Sequence, residues 1–412
     1  MTIPARLLSL ESEVRSYSRS WPVVFDRAVG PTLRDLDGRS YLDFFAGAGS
    51  LNYGHNNPVL KLALLDHLDR DAVVQGLDTM TDAKAEFLET FDELILGPRD
   101  LDYKVQFTGP TGADAVEAAL KLARKVTGRT GVVAFTGAYH GLSLGALAVT
   151  GHASKRAAAG VPLGHTLRLP YCGFGDGVSG LSLLEHYLRD SGSGVELPAA
   201  VIVETVQAEG GLHAATTAWL QDLAGLCARW GILLIVDDIQ VGCGRTGGFF
   251  SFEEAGIVPD LVVLSKSISG YGLPMALTLL RPDLDVWQPG EDNGGFRGDC
   301  LAFAGATAAL QSYWPDRDLE KQTLARGEHV RHRLGSLDLP VRGRGLINGL
   351  VFPDSAQARA VCDESFHQGL IVETSGSSGE VVKVLPPLTI PDADLDAGLD
   401  TLCAAVRGVR GA

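Results

Sequence analysis

Through the middle of the chain, short and mostly apolar runs alternate with stretches whose apolar residues recur every three or four positions. KVQF, GVVAF, AAVIV, ILLIVD, LVVL and ALTLL are the runs, and AVEAALKLARKV and WLQDLAGLCARWG are the periodic stretches. The first set predicts strands and the second helices, the latter stopping at Gly231, a residue that readily takes the left-handed turn ending a helix. Strands rich in Val, Ile and Leu on both faces need helices on both sides, so the alternation predicts βαβ units around a mainly parallel sheet. Sheets of this kind present their ligands at the carboxyl ends of the strands.

The flanks have another rhythm. Residues 23–45 alternate about an Asp37-Gly38 turn, as a small antiparallel meander does. The last hundred residues mix helical stretches with strands such as GLINGLVF and EVVKV, which predicts a separate α+β lobe. The expected division is residues 1–55 and 311–412 as the two parts of a smaller lobe, and 56–310 as the large α/β domain.

At 412 residues the chain is long enough for that arrangement. With 45% hydrophobic and 21% charged residues it reads as a globular enzyme rather than a disordered or fibrous chain. A formal charge of −15 excludes a general nucleic-acid-binding surface, which needs clustered Lys and Arg. The first twenty residues lack the apolar core of a secretory signal, and no apolar run is long enough for a membrane span, so a cytoplasmic protein is expected. Six cysteines, at 172, 227, 243, 300, 362 and 403, have no metal-ligand spacing, so reduced thiols and no metal are expected.

Chemistry gathers at the predicted strand ends. LVVLSK ends on Lys266, and LLIVDD carries Asp237 behind five apolar residues. A buried amine beside a buried carboxylate is what pyridoxal phosphate requires: a lysine to hold its aldehyde as a Schiff base, and an Asp to keep its ring nitrogen protonated so that the ring takes up electrons. TGPTGADAVEAA offers Thr111, Gly112 and Ala113 at a helix start, either a phosphate cradle or a capped turn. In FTGAYHG, Tyr139 is placed to stack on a flat ring, while His140 could act in catalysis or bond to a neighbouring carboxylate. IVETVQAEGG adds Glu204 and Glu209, and Gln240 follows Asp237 by three residues. Asp238 and Arg245 are read as loop-holding groups.

In this order, TGPTGADAVEAALKLAR, YHG, VETVQAEGG, VDDIQVGCGRTG, LSKSISGYGLP and LPPLTI resemble the class III aminotransferases over nearly the whole chain. ESEVRSYSRSWPVVF, AGAGSLNYGHNNP and YKVQFTGPTG narrow the resemblance to those acting on diaminobutyrate with 2-oxoglutarate. It implies PLP fold type I, a homodimer with shared active sites, and transamination of the terminal amine of a diamino acid with glutamate and 2-oxoglutarate as the partner couple. It also implies roles for residues: Lys266 as Schiff-base lysine and proton shuttle, Asp237 at the ring nitrogen, Gln240 at the phenolic oxygen, Tyr139 on the ring, and Gly112 with Ala113 at the phosphate. Glu209 would pair with a basic residue in the substrate pocket, and Lys383 stands where several relatives have that residue as arginine.

GGFRGDC departs from the family pattern, with Gly295 at the place of a threonine that reaches the neighbouring subunit's cofactor phosphate and Asp299 at that of an asparagine. Drift compensated by Arg297, which then reaches the phosphate or substrate, is one explanation. A remodelled pocket that runs elimination, replacement or carbon–carbon bond formation on the same cofactor is the other.

Overall fold

The computed structural model describes residues 3–175 and 179–411. Seven strands form the central sheet, in the order Lys104–Phe107, Leu277–Leu280, Leu261–Leu264, Leu233–Asp237, Ala200–Val203, Val132–Phe135 and Thr166–Leu169. Leu277–Leu280 is antiparallel to both its neighbours, and the other pairings are parallel. The five strands from Leu277–Leu280 to Val132–Phe135 are buried at every residue, the physical reason their sequences show no polar face.

Side chains alternate between the two faces with period two. Val132, Ala134, Ile202, Ile235 and Val263 pack with Ala119, Leu120 and Ala123 of the helix Gly112–Thr127. Val133, Val201, Val203, Leu234 and Val236 pack on the opposite side with Leu220, Leu223 and Leu226 of the helix Thr217–Trp230. The latter helix ends on Gly231 at φ 58°, as expected.

At the flanks, Phe25–Val29, Thr32–Asp35 and Ser40–Asp43 form the antiparallel meander. Leu370–Ile371, from the other end of the chain, adds to it in parallel beside Ser40–Asp43. A second sheet runs Val341–Arg344, Ile347–Val351, Val381–Val384, Glu373–Ser375, antiparallel throughout. In its hairpin Glu373 lies directly opposite Lys383. Among the described residues no helix is long and apolar enough to cross a membrane.

Candidate active site

The parallel strands deliver their polar residues to one rim. Asp237 is the last residue of its strand, Lys266 follows Leu264 by two, and Tyr139, His140 and Glu204 come just after Val132–Phe135 and Ala200–Val203. Together with Gly112, Ala113, Glu209 and Gln240 they line a cavity of about 320 Å³.

Lys266 is held at φ 55°, a left-handed conformation unfavourable to a residue with a Cβ. Its Nζ donates to the carbonyl of Ala48 at 2.9 Å. Burial lowers its affinity for a proton, with the charge of Glu209 opposing, and the net direction is down from the ordinary lysine value. Ala48 is itself at φ 56°, and its carbonyl also accepts from Gln240 Nε2 at 2.9 Å. Ala48 is a site residue that sequence reasoning missed, since it contributes only its backbone.

Asp237 accepts from the Ile239 amide at 3.1 Å through Oδ1, and Oδ2 lies 2.7 Å from His140 Nδ1. Both side chains are buried. Of the two roles open to His140, the structure therefore places it in the contact with a carboxylate. Glu204 accepts from the Tyr139 amide at 2.9 Å, so it fixes the segment carrying the aromatic ring. Its own carboxyl is raised well above the ordinary value by burial first and the neighbouring Asp237 charge second.

Lys383 is a second amine at the site, fully buried where Lys266 is half-buried, and its surroundings are the reverse of those of Lys266. Its Nζ lies 2.8 Å from Glu209 Oε1 and 2.7 Å from Glu373 Oε1, with the Gln240 amide oxygen at 3.4 Å. Burial would push it down, but the two carboxylates outweigh that and hold it well above an ordinary lysine. Burial likewise raises Glu209, while Lys383 and Lys266 bring it down to about 2. For Glu373 burial dominates and the direction is up. Glu373 was not singled out from sequence. A hairpin centred on the SGSSG turn sets 373 opposite 383, which is the signal that could have found it.

Three expected contacts, those of Thr111, Gly295 and Arg297, fall elsewhere within a single chain. Thr111 does not line the cavity: its hydroxyl accepts from the Asp114 amide, with Asp114 bonding back, so it caps the helix whose first residues do line it. Gly295 sits on an exposed stretch with open space around it. Arg297 donates to the carbonyls of Phe107, at 3.1 Å, and Asp292, which ties down that stretch. Asp299 accepts from the amides of Leu301 and Ala302 as the N-cap of the helix Cys300–Tyr313. Its replacement of an amide residue is accounted for by helix capping, where Asp and Asn serve equally. Asp238 accepts from the Ser251 amide at 2.9 Å and Arg245 is fully buried against Asn52 and two carbonyls, so both hold loops as expected.

The donor set fits pyridoxal phosphate. It offers a half-buried amine bound only to a carbonyl, a buried carboxylate braced by a histidine, an aromatic ring, and the amides of Gly112 and Ala113 at the start of a sixteen-residue helix, where an anion is favoured. The cradle has no room to spare, since a Cβ on Gly112 would come within 2.8 Å of Ile239.

Comparison with known proteins agrees. Residues 14–406 match the family model of the class III aminotransferases. The chain is 61% identical to the diaminobutyrate–2-oxoglutarate transaminase of Streptomyces anulatus, covering 99% of each, and 53% identical to that of Virgibacillus pantothenticus, covering 97% of this chain and 98% of the other. The ornithine aminotransferase of Toxoplasma gondii, a crystal structure with pyridoxal phosphate at partial occupancy, superposes with a TM-score of 0.85 at 26% identity over 99% of this chain and 94% of that one. An S-selective transaminase from an Arthrobacter species, with alanine bound, shares the fold at a TM-score of 0.87 and 23% identity, covering 99% of both. With the fold, the donor set and the family match in agreement, this chain belongs to the class III aminotransferases.

Proposed function

We propose that the protein is a pyridoxal phosphate-dependent transaminase that moves the terminal amino group of a diamino acid such as 2,4-diaminobutyrate to or from the cofactor, with glutamate and 2-oxoglutarate as the partner couple. The observation that carries this reading is the opposite surroundings of the two site lysines: Lys266 Nζ meets a carbonyl at 2.9 Å, and Lys383 Nζ lies between the carboxylates of Glu209 and Glu373 at 2.8 and 2.7 Å. A transaminase needs both, one to react and one to manage substrate charge.

When bound, the cofactor supplies the electron sink that makes a carbon–hydrogen bond beside the amine acidic. Lys266 would hold the cofactor through Nζ, and the same atom is placed to take and return a proton. Asp237 would offer its carboxylate to the ring nitrogen, and His140, 2.7 Å from Oδ2, keeps that carboxylate aimed. Tyr139 covers one face of the site and excludes water. The amides of Gly112 and Ala113 would hold the phosphate, and Gln240, bonded to Ala48 and Glu209, would position the phenolic oxygen. Within a single chain neither Gly295 nor Asp299 lines the cavity, and Asp299 is taken up in capping a helix, so the acid at 299 gives no support to an elimination or condensation chemistry.

A homodimer with shared sites is part of the proposal. Val59, Leu62, Leu65 and Leu68 expose one side of the helix Pro58–Asp69, with Met80 and Phe296 also exposed, an apolar surface suited to a second copy of the chain. On that reading Gly295 and Arg297 serve the neighbouring subunit's site. The lobe boundaries near residues 55 and 310 are retained. A cytoplasmic location is retained as well, and six free thiols are compatible with it. Incubating the holoenzyme with 2,4-diaminobutyrate and 2-oxoglutarate tests the function: glutamate formed in step with loss of the diamino acid supports it, and no glutamate refutes it.

A further inference from the structure

A second, polar cavity of about 430 Å³ adjoins the first, and Tyr139 and Glu209 line both. Glu373 is on its wall, as are Tyr17 and Ser375. With Lys266 taken up by the cofactor, Lys383 is the cation left between two carboxylates, and the charge at the junction does not cancel. Each glutamate turns Oε1 to the lysine, and among the described residues the Oε2 atoms accept no hydrogen bond.

The two carboxylates are mounted differently. Glu373 is on a strand, opposite Lys383 in the ladder, and its side chain is 11% exposed. Glu209 is on a turn, sewn by its carbonyl to the Gly376 amide, with its side chain 29% exposed. Across the same cavity Lys155 and Arg359 stand exposed, and neither is in an ion pair among the described residues. The cavity thus sets surplus negative charge inside, and at its rim Lys155 and Arg359 outnumber the exposed Asp363. An amino-acid head group, with an ammonium directed inward and a carboxylate outward, matches that polarity.

We infer that Glu373 is a specificity-determining residue: its carboxylate, in excess of what Lys383 neutralises, recognises the second ammonium of a diamino acid whose terminal amine reacts at Lys266. The inference rests on the transaminase reading above. Lys383 satisfies Glu209, and Glu373 is the surplus that makes the junction prefer a substrate with one more positive charge. A neutral glutamine at 373 still accepts from Lys383, so the lysine stays in place and the surplus charge alone is removed.

The test compares the parent holoenzyme with Glu373→Gln, using 2,4-diaminobutyrate as amino donor and 4-aminobutyrate, which lacks only the second ammonium, as competitor. The expected result is a rise in KM for 2,4-diaminobutyrate of about tenfold or more, the order of one charge-assisted hydrogen bond. The inhibition constant of 4-aminobutyrate stays the same, and KM for 2-oxoglutarate is unchanged or lower. Equal weakening of all three ligands shows a merely structural role and overturns the inference, as does an unchanged preference between the two amines. A parent enzyme that turns over no diamino acid overturns the transaminase reading itself, which the variant comparison cannot do.

Discussion

Replacing Lys383 by methionine keeps the length of the side chain and deletes its charge. In the parent, one buried cation serves Glu209 at 2.8 Å and Glu373 at 2.7 Å. Removing one partner from a buried ion pair costs about 3–5 kcal/mol, because the remaining charge is left without compensation. Here the cost has a ceiling. One of the two carboxyls can take up a proton, which from an ordinary carboxyl value costs about 3.5 kcal/mol at pH 7. The expected loss is therefore about 3 kcal/mol, or roughly 3–4 °C in Tm for a chain of this length.

The pH dependence distinguishes this mechanism from simple loss of packing. Glu209, lowered to about 2 in the parent, stays ionised from pH 7 to 5, and its contribution to stability, lost only as pH falls toward that value, is constant in this window. In the variant the glutamate pair binds a proton in the folded state that the unfolded chain releases at ordinary values. A raised carboxyl contributes stability below its unfolded value that is lost as pH rises, so the variant's deficit shrinks on acidification, by about 1.4 kcal/mol per pH unit. Calorimetric melts of parent and Lys383→Met at pH 7.0, 6.0 and 5.5 read the difference directly. A deficit that stays constant or grows as the pH falls refutes the ion-triad account.

Two further substitutions probe other parts of the site. His140→Phe removes the 2.7 Å contact to Asp237 and should lower kcat about tenfold to a hundredfold, the worth of one charge-assisted hydrogen bond, with KM nearly unchanged; a kcat within twofold of the parent speaks against the bracing role. Asp299→Ala should cost about 1 kcal/mol of stability through loss of the N-cap, while Asp299→Asn costs little and leaves both KM values as they were; a substrate-specific change in KM for the asparagine variant contradicts the capping assignment.

What was legible in the sequence follows from how each residue reaches the site. Asp237 and Lys266 stand at the ends of wholly apolar strands, where a lone polar residue has no structural reason to be, and the strand pattern identified the sheet with them. Tyr139, His140, Glu204 and the Gly112 helix start follow the same logic. Ala48 could not be read, because its carbonyl reaches Lys266 and Gln240 from a strained segment near the chain's beginning. Glu373 lies in a half-polar strand of the distant C-terminal part, and only the register of its hairpin brings it to Lys383. Thr111 reads alike in two roles, because a helix start that binds an anion and one that is only capped use the same residues, and here the threonine caps while its successors line the cavity.

The central claim is that, of the two site amines, Lys266 and not Lys383 bonds to the cofactor. Reducing the pyridoxal phosphate-loaded protein with borohydride and mapping its peptides by mass tests this most directly. The account predicts the reduced cofactor on the peptide containing Lys266 and an unmodified Lys383. The cofactor on the Lys383 peptide, or on neither, would contradict it.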